Sequence, residues 1–427
     1  MNKLIKRKIL SLGYLSIFLL LVFFCFPAFS SQIPDPENDY DSLIVQPKER
    51  VLKANRMSKL MYRYGVLKFQ KVKNDLYVVP LDNADKKDLK IAELQQSGYF
   101  NYVEPNYKLY TDQRAPERDY VKVIKEPDNE LAPALNTKEV TPNDKGFSSQ
   151  YYLKEINAPK AWRTTVGNSQ VVVAVLDTGI DANHPDLLGK ISGGDDDDLT
   201  DGIGHGTEVA GIIAANTNNS QGIAGIAWKT KILSLRITDD VGQARVSTVA
   251  TALDEAYNNG AKIVQISLST NQYSKTLQNA ISQAQSRGLI VISTAGNTGV
   301  QELRYPGAFS GVIAVGSVDK DKKLESYSTT GEHVSFVAPG TSIYTTTTGS
   351  NYNSVSGTSF SAPQVSGAAA LVWSLAPDLT SDEVRDILIR SADDLGDPGK
   401  DVKYGYGILN MQKAVELAKM KITEVEN

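Results

Sequence analysis

The feature that most constrains the fold is a run of apolar residues over positions 171–176, which ends at Asp177. A continuous β-branched run is typical of a strand buried on both faces, and such strands occur in parallel sheets. From Gln150 onward, strand-like and helix-like segments alternate along the chain, which indicates βαβ units. We therefore predict an α/β domain with three αβα layers around a mainly parallel sheet.

The segments that carry this prediction are read from apolar runs, capping residues and helix-ending glycines. The predicted strands cover residues 171–176, 231–237, 263–268, 289–293 and 312–315. The predicted helices cover residues 207–215, 246–259, 274–287, 365–375 and 384–390, and a last helix follows Asn410 through residue 418.

Three polar residues lie at the ends of these segments. Asp177 follows the apolar run, where α/β sheets place their chemistry, and His205 begins a helix of small residues. Ser359 follows a Gly-Thr turn and precedes an uncharged helix, with Pro363 suited to its first turn. A serine at a helix start faces unpaired N–H groups and the positive end of the helix dipole, which favours an oxyanion there.

Together, Asp177, His205 and Ser359 supply a carboxylate that orients an imidazole, a general base and a hydroxyl nucleophile. The sequence Asp-Thr-Gly at 177–179 also permits a second interpretation, because aspartic peptidases have two copies of this motif that supply a pair of catalytic carboxylates. The chain contains no second Asp-Thr/Ser-Gly. We therefore favour the serine nucleophile over paired carboxylates.

The motifs at 177–179, 204–211 and 356–367 make residues 142–418 resemble the subtilisin family of serine endopeptidases, in its thermitase-like branch. The triad order is a known signature of that family. The resemblance implies peptide hydrolysis through an acyl-enzyme. It also implies that the backbone N–H of Ser359 and the side chain of Asn297 form the oxyanion hole.

The same resemblance implies two strands that hold an extended peptide by main-chain hydrogen bonds. Its substrate-binding residues are Ser267, Leu268, Ser269, Gly242, Gln243, Ala295, Gly296 and Arg304. Ser269 departs from the usual glycine, and we hypothesise that Arg304 enters the first specificity pocket and shifts preference from basic toward acidic residues. The alternative is that Arg304 points to solvent. Glu208, Phe360 and Gln364 also depart from the family's usual residues.

A structural calcium site is implied by three separated segments that match the thermitase-like branch. Its predicted oxygen ligands come from Asp144, Asp186, Asn216, Asn219, Gln221 and Ile223. Residues 195–198 with Asp201 suggest a second, weaker site, although a run of like charges also suits a solvated loop. No cofactor is expected for catalysis.

The chain before residue 141 is expected to be removed from the mature enzyme. Residues 1–30 read as a signal peptide, with an uncleaved membrane anchor as the alternative. Residues 31–140 read as a propeptide whose compact α+β part covers about 58–110 and follows a linker. Strands are predicted at 64–70 and 76–80, a helix at 86–96 and an extended segment at 102–107. Residues 141–427 form the peptidase domain.

The amino-terminal part resembles the inhibitory prodomain of subtilases, so the expected partners are the chain's own propeptide and protein or peptide substrates. Maturation cleavage is expected within residues 111–141, at a bond that the sequence leaves open. A net charge of −4 argues against nucleic-acid binding, and Cys25, the only cysteine, lies in the predicted signal peptide. The expected protein is secreted. The alternatives are a narrow-specificity leader peptidase and an inactive surface binding protein of the same fold.

Overall fold

The computed structural model describes residues 40–53, 56–72, 75–81, 87–111 and 139–426. The predicted signal peptide and most of the predicted connector over 111–141 lie outside these ranges.

The amino-terminal subdomain, residues 40–111 as described, has an antiparallel sheet and three helices. Its strands are β1 (Ser42–Pro47), β2 (Gln70–Lys71), β3 (Tyr77–Pro80) and β4 (Phe100–Pro105), followed by β5 (Lys108–Thr111). Its helices are α1 (Glu49–Lys53), α2 (Met57–Arg63) and α3 (Lys87–Gln96). The sheet has the order β2-β3-β1-β4, and β5 leaves it to pair with the large domain.

Two sequence predictions for this subdomain are wrong. The predicted linker over 31–57 contains β1 and α1, and β1 is the strand that joins β3 to β4. Leu43 and Val45 of β1 pack in the subdomain's own core while Ile44 packs in a core of the large domain, so both faces are buried. The predicted strand over 64–70 is also wrong, because Gly65, with φ of 70°, follows helix α2 and only Gln70 pairs in the sheet.

The large domain, residues 139–426, contains the predicted parallel sheet. Its strands are β6 (Val172–Asp177), β7 (Ile191–Gly193), β8 (Lys231–Arg236), β9 (Gln243–Arg245), β10 (Ile263–Ile266), β11 (Leu268–Ser269), β12 (Ile290–Thr294), β13 (Ile313–Val318), β14 (Val334–Pro339), β15 (Ile343–Thr347) and β16 (Asn351–Val355). Its helices are α4 (Tyr151–Glu155), α5 (Ala158–Ala161), α6 (His205–Ala214), α7 (Val246–Asn258), α8 (Lys275–Ser286), α9 (Thr358–Leu375), α10 (Ser381–Ser391) and α11 (Met411–Glu426).

Seven strands form one parallel sheet in the order β14-β13-β12-β10-β6-β8-β7. Successive residues of β6 enter opposite cores: Val173 and Val175 pack with α6, α9, α10 and α11, and Ala174 and Leu176 pack with α7 and α8. Burial on both faces explains the continuous apolar run, because neither face needs polar residues. The three-layer α/β prediction is confirmed.

The five predicted strands are found, with ends that differ by at most three residues. Strands β7 and β14 were not predicted, since β7 is only three residues long and β14 lies in a loop-like stretch. Helix α9 begins at Thr358 rather than at 365, so Pro363 lies inside the helix and not in its first turn. Within the described ranges, none of the helices has the length and apolar composition needed to cross a membrane.

Candidate active site

Asp177 and His205 meet at the carboxyl edge of the parallel sheet. Asp177 is the last residue of β6, and His205 is the first residue of α6. Nδ1 of His205 lies 2.7 Å from Oδ1 of Asp177, and both side chains are buried. Thr178 N also donates to that oxygen, at 2.8 Å. The carboxylate therefore favours the tautomer with the proton on Nδ1, which leaves Nε2 as the basic atom.

A glycine lets helix α6 approach the strand end this closely. A Cβ atom on Gly206 would lie 2.1 Å from the carbonyl oxygen of Gly179, far inside van der Waals contact. Any larger residue at 206 would push the helix, and with it His205, away from Asp177. The Gly-His-Gly sequence is thus explained by packing as well as by chemistry.

Asp201 supports the loop that leads into α6. Its carboxylate accepts hydrogen bonds from Gly204 N at 2.7 Å, Thr207 Oγ1 at 2.7 Å and Thr178 Oγ1 at 2.9 Å. These donors belong to the segments that carry Asp177 and His205, so Asp201 ties the two together. The sequence placed Asp201 in a weak calcium site and missed this role, although an acidic residue just before a helix start is a common capping signal.

The suggested second calcium site combines residues 195–198 with Asp201, and the carboxylates of Asp198 and Asp201 form hydrogen bonds within the protein. Oδ1 of Asp198 accepts from Arg236 N at 2.6 Å, and Oδ2 accepts from Asp195 N at 2.8 Å. The carboxylate of Asp201 is occupied by the hydroxyl and N–H donors named above. These hydrogen bonds fix the loop, which favours the alternative interpretation of the aspartate run as a loop.

Glu208 places a second acid beside His205. Burial disfavours protonation of the His205 ring, but the charge and hydrogen bond of Asp177 outweigh it, so the pKa of His205 is raised above the ordinary value. Burial raises the pKa of Glu208 to about 7, against the opposing charge of His205. Glu208 therefore changes charge in the range where the imidazole must act as a base.

Ser359 lies in the first turn of α9, directly after Gly357 and Thr358. It is 1% exposed, and the ring of the next residue, Phe360, lies 5.4 Å from the His205 ring between centroids. The Ser359 hydroxyl donates to the carbonyl oxygen of Ser267 at 3.2 Å. Among the described residues, Nε2 of His205 has no hydrogen-bond partner. The structure thus joins Asp177 to His205, whereas the bond between Ser359 and His205 is not made.

Pro363 and Ser267 explain how the helix start is anchored. Proline at 363 has no N–H, so the carbonyl of Ser359, four residues earlier, lacks its helical donor. The hydroxyl of Ser267 donates to that carbonyl at 3.1 Å. Ser267 therefore makes two contacts with Ser359. The Ser267 hydroxyl donates to the Ser359 carbonyl, and the Ser267 carbonyl accepts from the Ser359 hydroxyl.

Asn297 follows strand β12 and reaches the start of α9. Its Oδ1 accepts from Thr358 N at 3.0 Å and from Thr358 Oγ1 at 2.7 Å. Two donors on one oxygen fix the amide orientation, with Nδ2 on the opposite side. A Cβ atom on Gly357 would lie 3.1 Å from Nδ2 of Asn297. The amide N–H₂ therefore lies beside the turn that precedes Ser359, as an oxyanion donor should.

The two predicted substrate-binding strands are present, and β5 lies between them. Leu268 and Ser269 pair with Thr111 and Tyr110, and Gln243 pairs with Tyr110 from the other side, all antiparallel. Gly242 lies just before β9 in a tight turn with φ of 79° and does not pair itself. The amino-terminal subdomain thus supplies an extended segment at the position predicted for a peptide substrate.

Arg304 lies against the predicted substrate-binding residues and not in solvent. Its Nε donates to Ser269 Oγ at 3.0 Å, and its side chain is 11% exposed. A Cβ atom on Gly296 would lie 2.8 Å from Cγ of Arg304, so the arginine stem covers that glycine. Ala295, which precedes it, is fully buried, and its N–H donates to Val315.

The residues of the predicted calcium site are also brought together. Oδ1 and Oδ2 of Asp144 accept from the backbone N–H groups of Asn219 and Asn218 at 3.2 and 2.9 Å. Asp186 Oδ1 accepts from Asn219 Nδ2 at 2.7 Å, and its Oδ2 accepts from Ile223 N at 2.7 Å. Oδ1 of Asn219 accepts from Gln221 N at 3.0 Å, so in this arrangement its amide nitrogen and not its oxygen faces Asp186.

Two observations bear on whether a cation suits this cluster. Asp144 and Asp186 are both buried, and burial, with the nearby charge of Asp186, raises the pKa of Asp144. Asn216 contributes its N–H to the Asp186 carbonyl at 2.7 Å, which leaves its own carbonyl for other partners. Two buried acids beside loop carbonyls suit a hard cation. Over the described ranges, no group of three or more His, Cys, Asp and Glu side chains could hold a metal ion.

The other two histidines have structural contacts. His184 is fully buried, and its Nδ1 accepts from Asp186 N at 3.1 Å while Nε2 lies 3.0 Å from Asn351 O. His333 is nearly buried, with Nε2 3.2 Å from Ala295 O. Neither lies against Asp177 or Ser359, which leaves His205 as the histidine of the site.

Comparisons with known proteins agree with this geometry. The model of the subtilase family matches residues 168–407, somewhat over half of the chain. A thermophilic serine proteinase of Bacillus sp. (strain AK1) is 35% identical over 372 residues, which span 85% of this chain and 84% of that protein. Thermitase of Thermoactinomyces vulgaris is 41% identical over 282 residues, 65% of this chain and 99% of thermitase. Subtilisin BL of Lederbergia lenta is 38% identical over 267 residues, 61% of this chain and 97% of that protein. The chain therefore belongs to the subtilase family, and it is a thermitase-like serine endopeptidase.

Proposed function

We propose that this endopeptidase is made as an inactive precursor for secretion, and that Asp177, His205, Ser359 and Asn297 carry its chemistry. The observation that carries the proposal is the buried hydrogen bond of 2.7 Å between His205 Nδ1 and Asp177 Oδ1, beside the helix start that holds Ser359. It supports a histidine that is oriented for base catalysis through its other nitrogen.

In this mechanism the Ser359 side chain rotates from the Ser267 carbonyl toward His205. Nε2 of His205 takes the hydroxyl proton while Oγ attacks the substrate carbonyl carbon. The N–H of Ser359 and Nδ2 of Asn297 stabilise the developing oxyanion. His205 then gives its proton to the leaving amine, and a water molecule hydrolyses the acyl-enzyme with the same histidine as base. Asp177 stabilises the imidazolium in both steps.

We propose that residues 40–111 act as an inhibitory prodomain. Three contacts with the large domain support this role. Strand β5 pairs with β9 and β11 and so takes the place of a substrate. Glu104 accepts three hydrogen bonds at the start of α8, from Ser274 Oγ, Lys275 N and Thr276 N. Asn106 exchanges two hydrogen bonds with Ser247 at the start of α7.

We also propose that the cluster of Asp144 and Asp186 holds a structural calcium ion. Members of this family generally bind calcium. The ligands would be the two carboxylates with oxygens of Asn216, Asn219, Gln221 and Ile223. The ion would neutralise the buried carboxylates of Asp144 and Asp186 and would fix the loop over 216–223. It has no role in the chemical steps.

The experiment that tests the catalytic proposal labels the expressed protein with a fluorophosphonate probe and measures the mass of every band. We expect a shortened, labelled wild-type form, whereas Ser359→Ala should remain full-length and unlabelled. A wild-type protein that shortens but takes no label would contradict the proposed triad and favour a binding protein with this fold. Secretion is tested by the amino terminus of the mature material, which should lie beyond Ser30.

A second candidate, a peptidase of restricted specificity, is favoured by one observation. The Arg304 side chain is 11% exposed and lies against Ser269, which places a cation among the predicted substrate-binding residues. A charged pocket accepts fewer side chains than an apolar one. A peptide library with one varied position before the scissile bond separates broad from restricted specificity.

A further inference from the structure

We propose that Gln265 and Ser366 are positioning residues for the nucleophile, because they fix the hydrogen bond through which Ser267 holds the backbone of Ser359. Both would act through Ser267 and not by contact with the substrate. The proposal rests on the proposed function of Ser359 as nucleophile, and it adds two residues to the machinery of that same site.

The carbonyl oxygen of Ser359 needs a donor from outside its helix. Pro363 has no N–H to offer, and the hydroxyl of Ser267 donates to this oxygen at 3.1 Å. A serine hydroxyl can rotate, so the bond forms only when its proton points at the Ser359 carbonyl. A group that fixes the direction of that proton therefore helps to hold the nucleophile.

Gln265 directs the hydroxyl of Ser267. Its Nε2 donates to Oγ of Ser267 at 2.9 Å. This N–H occupies a lone pair of the oxygen, so the hydroxyl proton of Ser267 must point away from Gln265. On that other side the hydroxyl meets the carbonyl oxygen of Ser359. Gln265 thus selects the rotamer of the hydroxyl that anchors Ser359.

Ser366 fixes which end of the Gln265 amide faces Ser267. The Ser366 hydroxyl donates to Oε1 of Gln265 at 2.6 Å, which leaves Nε2 on the side of Ser267. In the reversed orientation, Oε1 would accept the Ser267 proton, and the Ser359 carbonyl would lose its donor. The four residues therefore form one chain of hydrogen bonds that runs in a single direction, from Ser366 to Ser359.

The spacing of these residues explains how a strand and a helix form this chain. Gln265 lies in β10 and Ser267 two positions later, so both side chains share the face of Ile263, which packs in the core with α9. Ser359 and Ser366 are seven positions apart in α9, close to two full turns, and lie on one side of the helix. The two pairs therefore oppose rotation of α9 against β10.

The position of Gln265 is unusual for a polar side chain. Its neighbours in the parallel sheet are Val175 of β6 and Ile292 of β12, and the side chain is fully buried. An apolar residue is typical of such a place, and a buried amide is costly unless it is hydrogen-bonded. A residue that breaks the local pattern in this way is more typical of a functional site than of a core.

The anchored carbonyl also bears on the proposed oxyanion donor. The N–H of Ser359 belongs to the peptide group between Thr358 and Ser359. The peptide group before it is held by Thr358 N, which donates to Asn297 Oδ1 at 3.0 Å, and the one after it is held by Ser267. Fixing both neighbours fixes the direction of this N–H. Loss of the chain should therefore slow acylation more than it weakens substrate binding.

The test compares Gln265→Met, Ser366→Ala and the double variant, each expressed as the full-length chain. Gln265→Met keeps the length of the side chain and removes both amide groups, and Ser366→Ala removes the first donor. Peptidase rates are expressed per site that the fluorophosphonate probe labels, and the second-order rate constant of labelling is measured as well. The probe needs no bound peptide, so its rate reports on the nucleophile and the oxyanion donors.

We expect each single variant to lower kcat and the labelling rate constant by about five- to tenfold, with KM little changed. The double variant should be no slower than the slower single variant, because either substitution already breaks the chain. Ser366→Thr keeps the hydroxyl and should restore most of both rates. Ser391→Ala is the matched control: its buried hydroxyl donates to Leu388 O at 2.8 Å in α10, so the variant should lose stability and keep kcat.

The failures of the two proposals are distinguishable. A wild-type protein that takes the label, with variants that lose stability but keep their rates, overturns this inference alone. So do losses that add in the double variant, an effect confined to KM, or a Ser366→Thr variant as slow as Ser366→Ala. If Gln265→Met does not fold, the two Ser366 variants decide the question. A wild-type protein that takes no label overturns the proposed role of Ser359, and this inference with it.

Discussion

The hydroxyl of Ser359 donates to the carbonyl oxygen of Ser267 at 3.2 Å, while Asp177 already holds His205 at 2.7 Å. The base is therefore oriented before the nucleophile turns toward it. In the proposed mechanism, rotation of the Ser359 side chain completes the triad, whereas a histidine in the wrong tautomer could not accept the proton at Nε2. The carboxylate of Asp177 thus decides whether the rotation is productive.

Asp177→Asn is expected to lower kcat by about 10⁴-fold with the fold retained, because an amide can stabilise the unproductive tautomer and carries no charge. The measurement is kcat on a peptide ester or amide, with circular dichroism as a check on folding. Asp240→Asn removes a carboxylate that is 96% exposed and should leave kcat unchanged. Loss of activity below tenfold would contradict the role given to Asp177.

Replacement of Asn297 should impair the transition state more than substrate binding. Asn297→Leu keeps the side-chain size and removes the Nδ2 donor, so we expect kcat to fall by about 10²- to 10³-fold, a range already established on subtilisin itself, with KM little changed. Burst kinetics with an ester substrate would locate the loss in acylation. An effect confined to KM would argue against an oxyanion role.

We expect Thr358 to position Asn297, since the N–H and the hydroxyl of Thr358 both donate to Oδ1 of the amide. Thr358→Val removes the shorter hydrogen bond, and we expect kcat to fall by about tenfold without a change in KM. Thr358→Ser retains the hydroxyl and should restore most of the activity. Failure of serine to rescue would indicate that the methyl group and packing matter instead.

Glu208 should set the acid limb of the pH–rate profile. His205 must be neutral to accept the Ser359 proton, and its raised pKa means that activity is lost as the pH falls through a value above 6.5. Glu208 has a pKa of about 7, and its ionised carboxylate favours the protonated form of His205. Glu208→Gln should therefore move the acid limb of kcat/KM to lower pH. Glu416→Gln, on the exposed face of α11, is the control, and an unchanged limb in Glu208→Gln would contradict the coupling.

A residue of the site could be predicted from the sequence only where its neighbours in the chain indicate its position at the end of a strand or helix. Asp177, His205 and Ser359 stand at the ends of segments with clear local signals, so their roles could be hypothesised from sequence. The hydrogen bonds of Asp201 to Thr178, just after β6, and to Thr207, in the first turn of α6, connect residues up to 23 positions apart. A capping signal before α6 could indicate the hydrogen bond to Thr207, but no local pattern indicates the bond to Thr178.

The same limit applies to the fold. The parallel sheet was predictable because a strand such as β6 is buried on both faces and reads as one apolar run. Strand β1 reads as a short apolar stretch beside a proline-containing segment, and its partners lie about 30 to 60 residues further along the chain. The pairing of β1 depends on residues far away in the chain, so a short window of sequence cannot predict it.

Calcium removal should destabilise the protein in a pH-dependent way. The pKa of Asp144 is raised above its ordinary value of 3.8 by burial and by Asp186, so without a cation this acid stabilises the fold at low pH and loses that contribution as the pH rises through its raised pKa. A bound cation offsets the loss. Chelation should therefore lower Tm by about 5 °C or more at about pH 8 and by less near or below the ordinary pKa of 3.8. Asp186→Asn should remove the response to added calcium, and an equal response at both pH values would contradict this account.

Glu104 is expected to control how long the cleaved prodomain inhibits the enzyme. Its carboxylate accepts hydrogen bonds of 2.8 to 3.0 Å from Ser274, Lys275 and Thr276 at the positive end of helix α8, so it combines charge with three donors. Glu104→Ala should weaken retention of the prodomain by about ten- to a hundredfold and shorten the lag before peptidase activity appears. The lag is measured on the full-length chain as it processes, against Glu93→Ala, whose exposed side chain pairs with Lys90 within the subdomain. A lag that is unchanged in Glu104→Ala, with processing at the normal rate, would show that β5 alone holds the prodomain in place.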